Sequence, residues 1–98
     1  MGIRVQLDRR AIADLEDIRD YLLQFSPTSA ERVRQHIAHT LDALADFPFL
    51  CRPTDEPDVR VLPLTRYPYL IFYTAQPDKV VVLPVRHAAR APLDPRDL

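Results

Sequence analysis

Residues Ile3-Arg4-Val5-Gln6-Leu7 alternate apolar and polar side chains, the period-two pattern of a short strand with one buried face. The period then changes. Asp8 is suited to cap a helix in which Ala11, Leu15, Ile18, Leu22 and Phe25 recur at spacings of four and three, so all five fall on one stripe. Asp14, Glu16, Asp17, Arg19 and Asp20 are expected largely on the wet side of that helix. Ser26-Pro27 breaks it and opens a second one. Proline suits a first helical turn, and Thr28 to Glu31 has the spacing of a capping box, so two candidate caps overlap. Val33, Ile37, Leu41 and Leu44 form the second apolar stripe. Phe47-Pro48 closes it, because the residue before proline avoids helical backbone angles. The short Ser-Pro joint predicts an antiparallel helix hairpin.

Residues 48–58 are rich in Pro, Asp and Glu and are expected to form a connecting loop. Beyond them the pattern predicts a three-strand antiparallel meander: Val59 to Leu64, Tyr69 to Ala75 and Val80 to Val85, with Gln76-Pro77-Asp78-Lys79 as a turn. Pro63 and Pro84 cannot donate a ladder hydrogen bond, so each needs a bulge, a strand end or a free edge. Tyr69-Leu70-Ile71-Phe72-Tyr73 and Val80-Val81-Val82-Leu83 are apolar at consecutive positions, which places apolar groups on both faces of the sheet. A helix hairpin covers one face. The other calls for the C-terminal segment or another molecule, since a large uncovered apolar patch marks an interaction site. The expected architecture is α+β, a single domain over residues 1–98: an N-terminal strand, a helix hairpin and a meander, with the helices on one sheet face.

Composition narrows the function. One glycine, Gly2, leaves no glycine-rich phosphate loop, which argues against nucleotide hydrolysis. Cys51 stands alone, so no intrachain disulfide forms; with no window near the roughly 20 apolar residues of a membrane span, a cytoplasmic setting is expected. The net charge is −1, but its distribution is uneven. From Val59 to Leu93 the cations Arg60, Arg66, Lys79, Arg86 and Arg90 face Asp78 alone, a local basic patch suited to an anionic or acidic target. Arg86-His87-Ala88-Ala89-Arg90 follows the last predicted strand directly. Arginine brings a planar fork of donors there, and histidine a group that changes charge near neutral pH.

The same pieces carry a resemblance. Tyr67-Pro68-Tyr69-Leu70-Ile71-Phe72-Tyr73 and Val85-Arg86-His87-Ala88-Ala89-Arg90-Ala91-Pro92, in the order strand, helix hairpin, basic loop and meander, resemble the ParE/RelE superfamily of bacterial toxins, plasmid stabilisation proteins among them. Ala13-Asp14-Leu15-Glu16-Asp17-Ile18, Leu44 to Pro48 and Val59-Arg60-Val61-Leu62 follow that family's pattern as well. The resemblance implies the toxin of a type II toxin-antitoxin pair, neutralised by a cognate antitoxin in a hetero-oligomer with two copies of each chain. ParE-like members poison DNA gyrase; RelE-like members cut messenger RNA on the ribosome.

Chemistry separates the two branches. Cleavage through a 2′-hydroxyl needs a base, an acid and a cation for the developing charge. Arg66 and Arg86 can supply charge and His87 can move a proton, so these three are the candidates for a nuclease. Ala88 and Ala89 follow His87, and no aromatic residue occurs after Tyr73 to stack a base. The departure favours gyrase inhibition by binding, without enzymatic activity, and puts Arg60, Tyr67, Tyr69, Tyr73, Arg86, His87 and Arg90 forward as target or partner contacts. A ribosome-dependent nuclease and an inactive toxin-fold binding partner are the alternatives. His36, His39 and distant Cys51 fall short of a tetrahedral ligand set, and no cofactor is expected.

Overall fold

Both helix starts are built by a side chain of the expected kind. Asp8 is extended, and its carboxylate accepts the Arg10 N–H at 3.2 Å at the head of α1 (Arg9–Leu23). Ser26 is extended likewise, and its hydroxyl accepts the Ser29 N–H at 3.2 Å at the head of α2 (Pro27–Asp46), with Pro27 in the first turn. Of the two overlapping caps, Ser26 is the one used. Glu31 instead turns along the helix to Arg34 and Gln35. The computed structural model describes residues 3–49 and 51–87.

Five strands accompany the helices: β1 (Arg4–Leu7), β2 (Arg52–Pro53), β3 (Val59–Pro63), β4 (Tyr69–Ala75) and β5 (Lys79–His87). They form one α+β mixed sheet in the order β1-β5-β4-β3-β2, in which β1 runs parallel to β5 and the other pairs are antiparallel. The meander is as expected, but the 48–58 segment is not wholly loop. Arg52 and Pro53 pair with Val61 and Arg60 and give the sheet a two-residue edge strand, too short to show as a pattern. Thr54 then organises the return, donating its hydroxyl to the Val59 carbonyl at 2.9 Å while Asp58 takes a positive φ of 66°, which Asp tolerates better than most residues.

The prolines sit where their missing N–H costs little. Pro63 is the last residue of β3. Pro84 lies in a β-bulge: Ile71 pairs with Val85 but Tyr73 pairs with Val82, so Phe72 alone stands opposite Leu83 and Pro84.

One sheet face packs under the helices. Ala11, Val33 and Ile37 meet Ile71, Val82 and Val85 in one cluster, and Leu44 meets Tyr73 and Val80 in another. On the opposite face Phe72 and Val59 are buried, while Val61, Leu70, Val81 and Leu83 are half-buried. The C-terminal segment, one of the two covers expected for that face, lies outside the described residues. Among the described residues the exposed large apolar groups lie elsewhere, on the helices and on the segment after α2: Ile12, Tyr21, Leu23, Phe25, Phe47 and Phe49. Phe25 corrects the predicted stripe. The helix stops at Leu23, so Phe25 leaves the core and packs edge-on against Tyr21, 70% exposed.

Candidate functional site at the end of β4 and β5

Strand register decides which of the proposed contacts meet. Tyr69 pairs with His87 and Leu70 with Arg86, and a tight turn, with the Tyr69 N–H bonded to the Tyr67 carbonyl at 2.8 Å, carries Arg66 and Tyr67 into the same end of the sheet. Arg66, Tyr67, Tyr69, Arg86 and His87 therefore belong to one end. The His87 ring stands edge-on to Tyr69, centroids 5.4 Å apart. His36, from α2, stands edge-on to Tyr67 at 5.3 Å, and its Nε2 is buried without a hydrogen-bond partner among the described residues. Arg66 and Arg86 are exposed, Tyr67 and His87 half-buried and Tyr69 buried. Arg90 lies outside the described residues.

Arg60 and Tyr73 form a different cluster, paired with each other across β3 and β4. Arg60 donates to the carbonyls of Phe49 and Cys51 at 3.2 and 2.6 Å, and its guanidinium lies 5.3 Å from the centre of the Phe49 ring. The Tyr73 hydroxyl donates to the Pro48 carbonyl at 3.0 Å, and the residue is wholly buried. Its proposed place among the surface contacts is corrected: Tyr73 fastens the segment after α2 to the sheet. Burial, with the Cys51 side chain beside the hydroxyl second, raises the Tyr73 phenol well above its ordinary range.

A residue outside the candidate set completes the strand end. Asp14, expected on the wet side of α1, is half-buried: its Oδ2 accepts the Val85 N–H at 2.9 Å and its Oδ1 stands 3.8 Å from the Arg86 guanidinium. The spacing carried this signal. Asp14 is three residues beyond Ala11, the best-buried residue of α1, and so shares its inner face.

A second surface feature lies between the helices. Ile12, Leu15, Ile18 and Leu22 of α1 face Val33 and Ile37 of α2 across an apolar groove of about 340 Å³. The described residues contain no group of three or more His, Cys, Asp or Glu placed to hold a metal ion, and no helix among them is long and apolar enough to cross a membrane.

Residues 5–92 match the model of the ParE toxin of the type II toxin-antitoxin system, parDE. Toxin RelE2 of Caulobacter vibrioides is 39% identical over 83 residues, which cover 83% of this chain and 90% of that protein. Among solved structures, the chromosomal ParDE toxin-antitoxin system from P. aeruginosa superposes with a TM-score of 0.76 at 26% identity, over 88% of this chain and 96% of that one. The intact E. coli RelBE toxin-antitoxin complex gives 0.63 at 18% identity over 91% and 100%, a likeness of fold.

Proposed function

Since the chain belongs to the ParE toxin family of type II toxin-antitoxin systems, we propose that it is neutralised by a cognate antitoxin and arrests growth by binding DNA gyrase. Engagement of the strand-end groups is the observation that carries the choice of target. Arg86 stands beside Asp14 and the His87 ring packs on Tyr69, so both are committed to shaping a surface, where a nuclease needs a positioned acid and base. Arg66 and Arg86 leave that surface cationic, suited to an acidic protein segment.

The antitoxin reading rests on the inter-helix groove and on the ParDE and RelBE relatives, which are toxin-antitoxin systems. An apolar segment laid along Ile12, Leu15 and Ile18 buries surface that is otherwise wet. Ile12 is 45% exposed, so Ile12→Glu is tolerated by the fold while placing a charge in the groove. Antitoxin affinity is expected to fall by about tenfold or more. Unchanged affinity moves the antitoxin to another surface.

Ribosome-dependent cleavage of messenger RNA is the second reading, favoured by an imidazole and guanidinium groups gathered at one sheet end. Induction in bacteria lacking the antitoxin, with purified protein assayed for gyrase supercoiling and DNA breakage, separates the two. Growth arrest with gyrase inhibition is expected, and His87→Ala weakens it without changing the integrity of translated messages. Intact gyrase activity, with cuts in translated messages that vanish in His87→Ala, overturns the gyrase reading in favour of the nuclease.

A further inference from the structure

We propose that Asp14 is a positioning residue for Arg86, setting the orientation of the guanidinium that the strand-end surface presents; the functional arm of this inference rests on the reading of that surface above. The argument begins with an edge. β1 pairs with β5 only from Lys79 to Val82, and the chain then turns into α1, with Asp8 N–H on the Val82 carbonyl at 2.9 Å. From Leu83 onward the outer edge of β5 has no neighbouring strand among the described residues. The bulge at Leu83 and Pro84 falls at this point, and the Val85 N–H turns away from β4 to the Asp14 carboxylate. A carboxylate from a helix thus takes the place of the missing strand as acceptor.

That bond fixes more than the backbone. Oδ2 is held by an N–H of the sheet and the side chain is largely buried, 17% exposed, so Oδ1 has a set position. Arg86, 49% exposed, reaches that oxygen with one Nη at 3.8 Å. A solvent-exposed ion pair at this distance adds little to stability. Its consequence is geometric: an arginine stem that samples many rotamers is biased to one, and a guanidinium with five N–H donors keeps others for a target. Preordering of this kind lowers the entropy lost on binding.

Two substitutions and one spectroscopic measurement on the full-length chain test this. Asp14→Asn keeps an acceptor for the Val85 N–H and removes the charge beside Arg86. Expected are a slightly lowered thermal midpoint, since a neutral acceptor replaces a charged one, and about a two- to fivefold rise in the concentration needed for half-inhibition of gyrase. In an Arg86→Ala background the same Asp14→Asn change is expected to add nothing. An equal loss in both backgrounds, or none in the parent, overturns the proposal. If Arg86→Ala alone leaves inhibition unchanged, the reading of the surface fails, and the spectroscopic arm decides the pairing by itself. The Arg86 Nη protons are expected to be restricted in rotation and exchange in the parent and to lose that restriction in Asp14→Asn. A Val85 amide that shifts in Asp14→Asn while the Arg86 Nη signals stay unchanged limits Asp14 to a backbone role and sinks the proposal.

Discussion

Removing one oxygen, in Tyr73→Phe, tests how the segment after α2 is held. The ring stays, packed with Leu44 and Val80, so no cavity forms. What disappears is the 3.0 Å bond to the Pro48 carbonyl, which joins points 25 residues apart. A neutral hydrogen bond contributes about 0.5–1.5 kcal/mol net, and a stranded buried acceptor raises the loss toward about 2. Pro48 is half-buried, so water reaches its carbonyl in part and about 1 kcal/mol is the expected cost. For a domain of this size that lowers the thermal midpoint by about 4–8 °C, with an unchanged urea m-value. A pH series supplies the second arm. The folded phenol titrates above its ordinary 10.0, so above about pH 10 the unfolded chain releases a proton that the native chain keeps. Stability from this group is whole below that pH and declines as pH rises, by up to about 1.4 kcal/mol per unit. Tyr73→Phe lacks the decline, so urea midpoints of variant and parent should converge above about pH 10. Equal stability at neutral pH, with curves that stay parallel into the alkaline range, would refute the reasoning.

Three further substitutions probe separate links. Ser26→Ala removes the cap used by α2 and is expected to cost about 1 kcal/mol in urea unfolding, whereas Thr28→Ala, inside the helix, stays within about 0.5. Ile71→Ala empties a wholly buried site between sheet and helices and should cost about 2–5 kcal/mol, a large share of a small domain's stability, seen as a collapse of the unfolding midpoint. Arg60→Met keeps an aliphatic stem but leaves the exposed Phe49 carbonyl to water and deprives the part-buried Cys51 carbonyl of its donor. About 1.5–3 kcal/mol is expected, together with faster proteolysis of the chain between α2 and β3.

Most of the fold was legible because it rests on period. The alternation in β1, the stripes of α1 and α2 and the apolar run of β4 each repeat often enough to stand above local noise, and the structure holds all four. What was not legible rests on single long-range contacts. β2 has two residues and exists because Arg60 and Val61 pair with it. The parallel placing of β1 beside β5 depends on the route of the helices, which no local pattern records. Tyr73 and Arg60 read as surface groups by type, and both are fastened instead to the carbonyls of one short segment. Phe25 fitted a stripe by spacing, but the helix stops before reaching it.

The strand end shows why residue type alone does not decide the chemistry of a site. Arginine and histidine next to one another suggest proton transfer to anyone reading the chain. Their neighbours are set by register and by α1: Tyr69 lies across from His87, and Asp14 arrives from 71 residues before Val85. Asp14 Oδ2 holds the Val85 N–H at the bulge that absorbs Pro84, while its Oδ1 stands near the Arg86 guanidinium. The bond at the end of the ladder therefore ties Asp14 to the bulge and sets its other oxygen beside Arg86. On the gyrase reading proposed above, target binding should follow changes of geometry at Asp14 as well as changes of charge at Arg86.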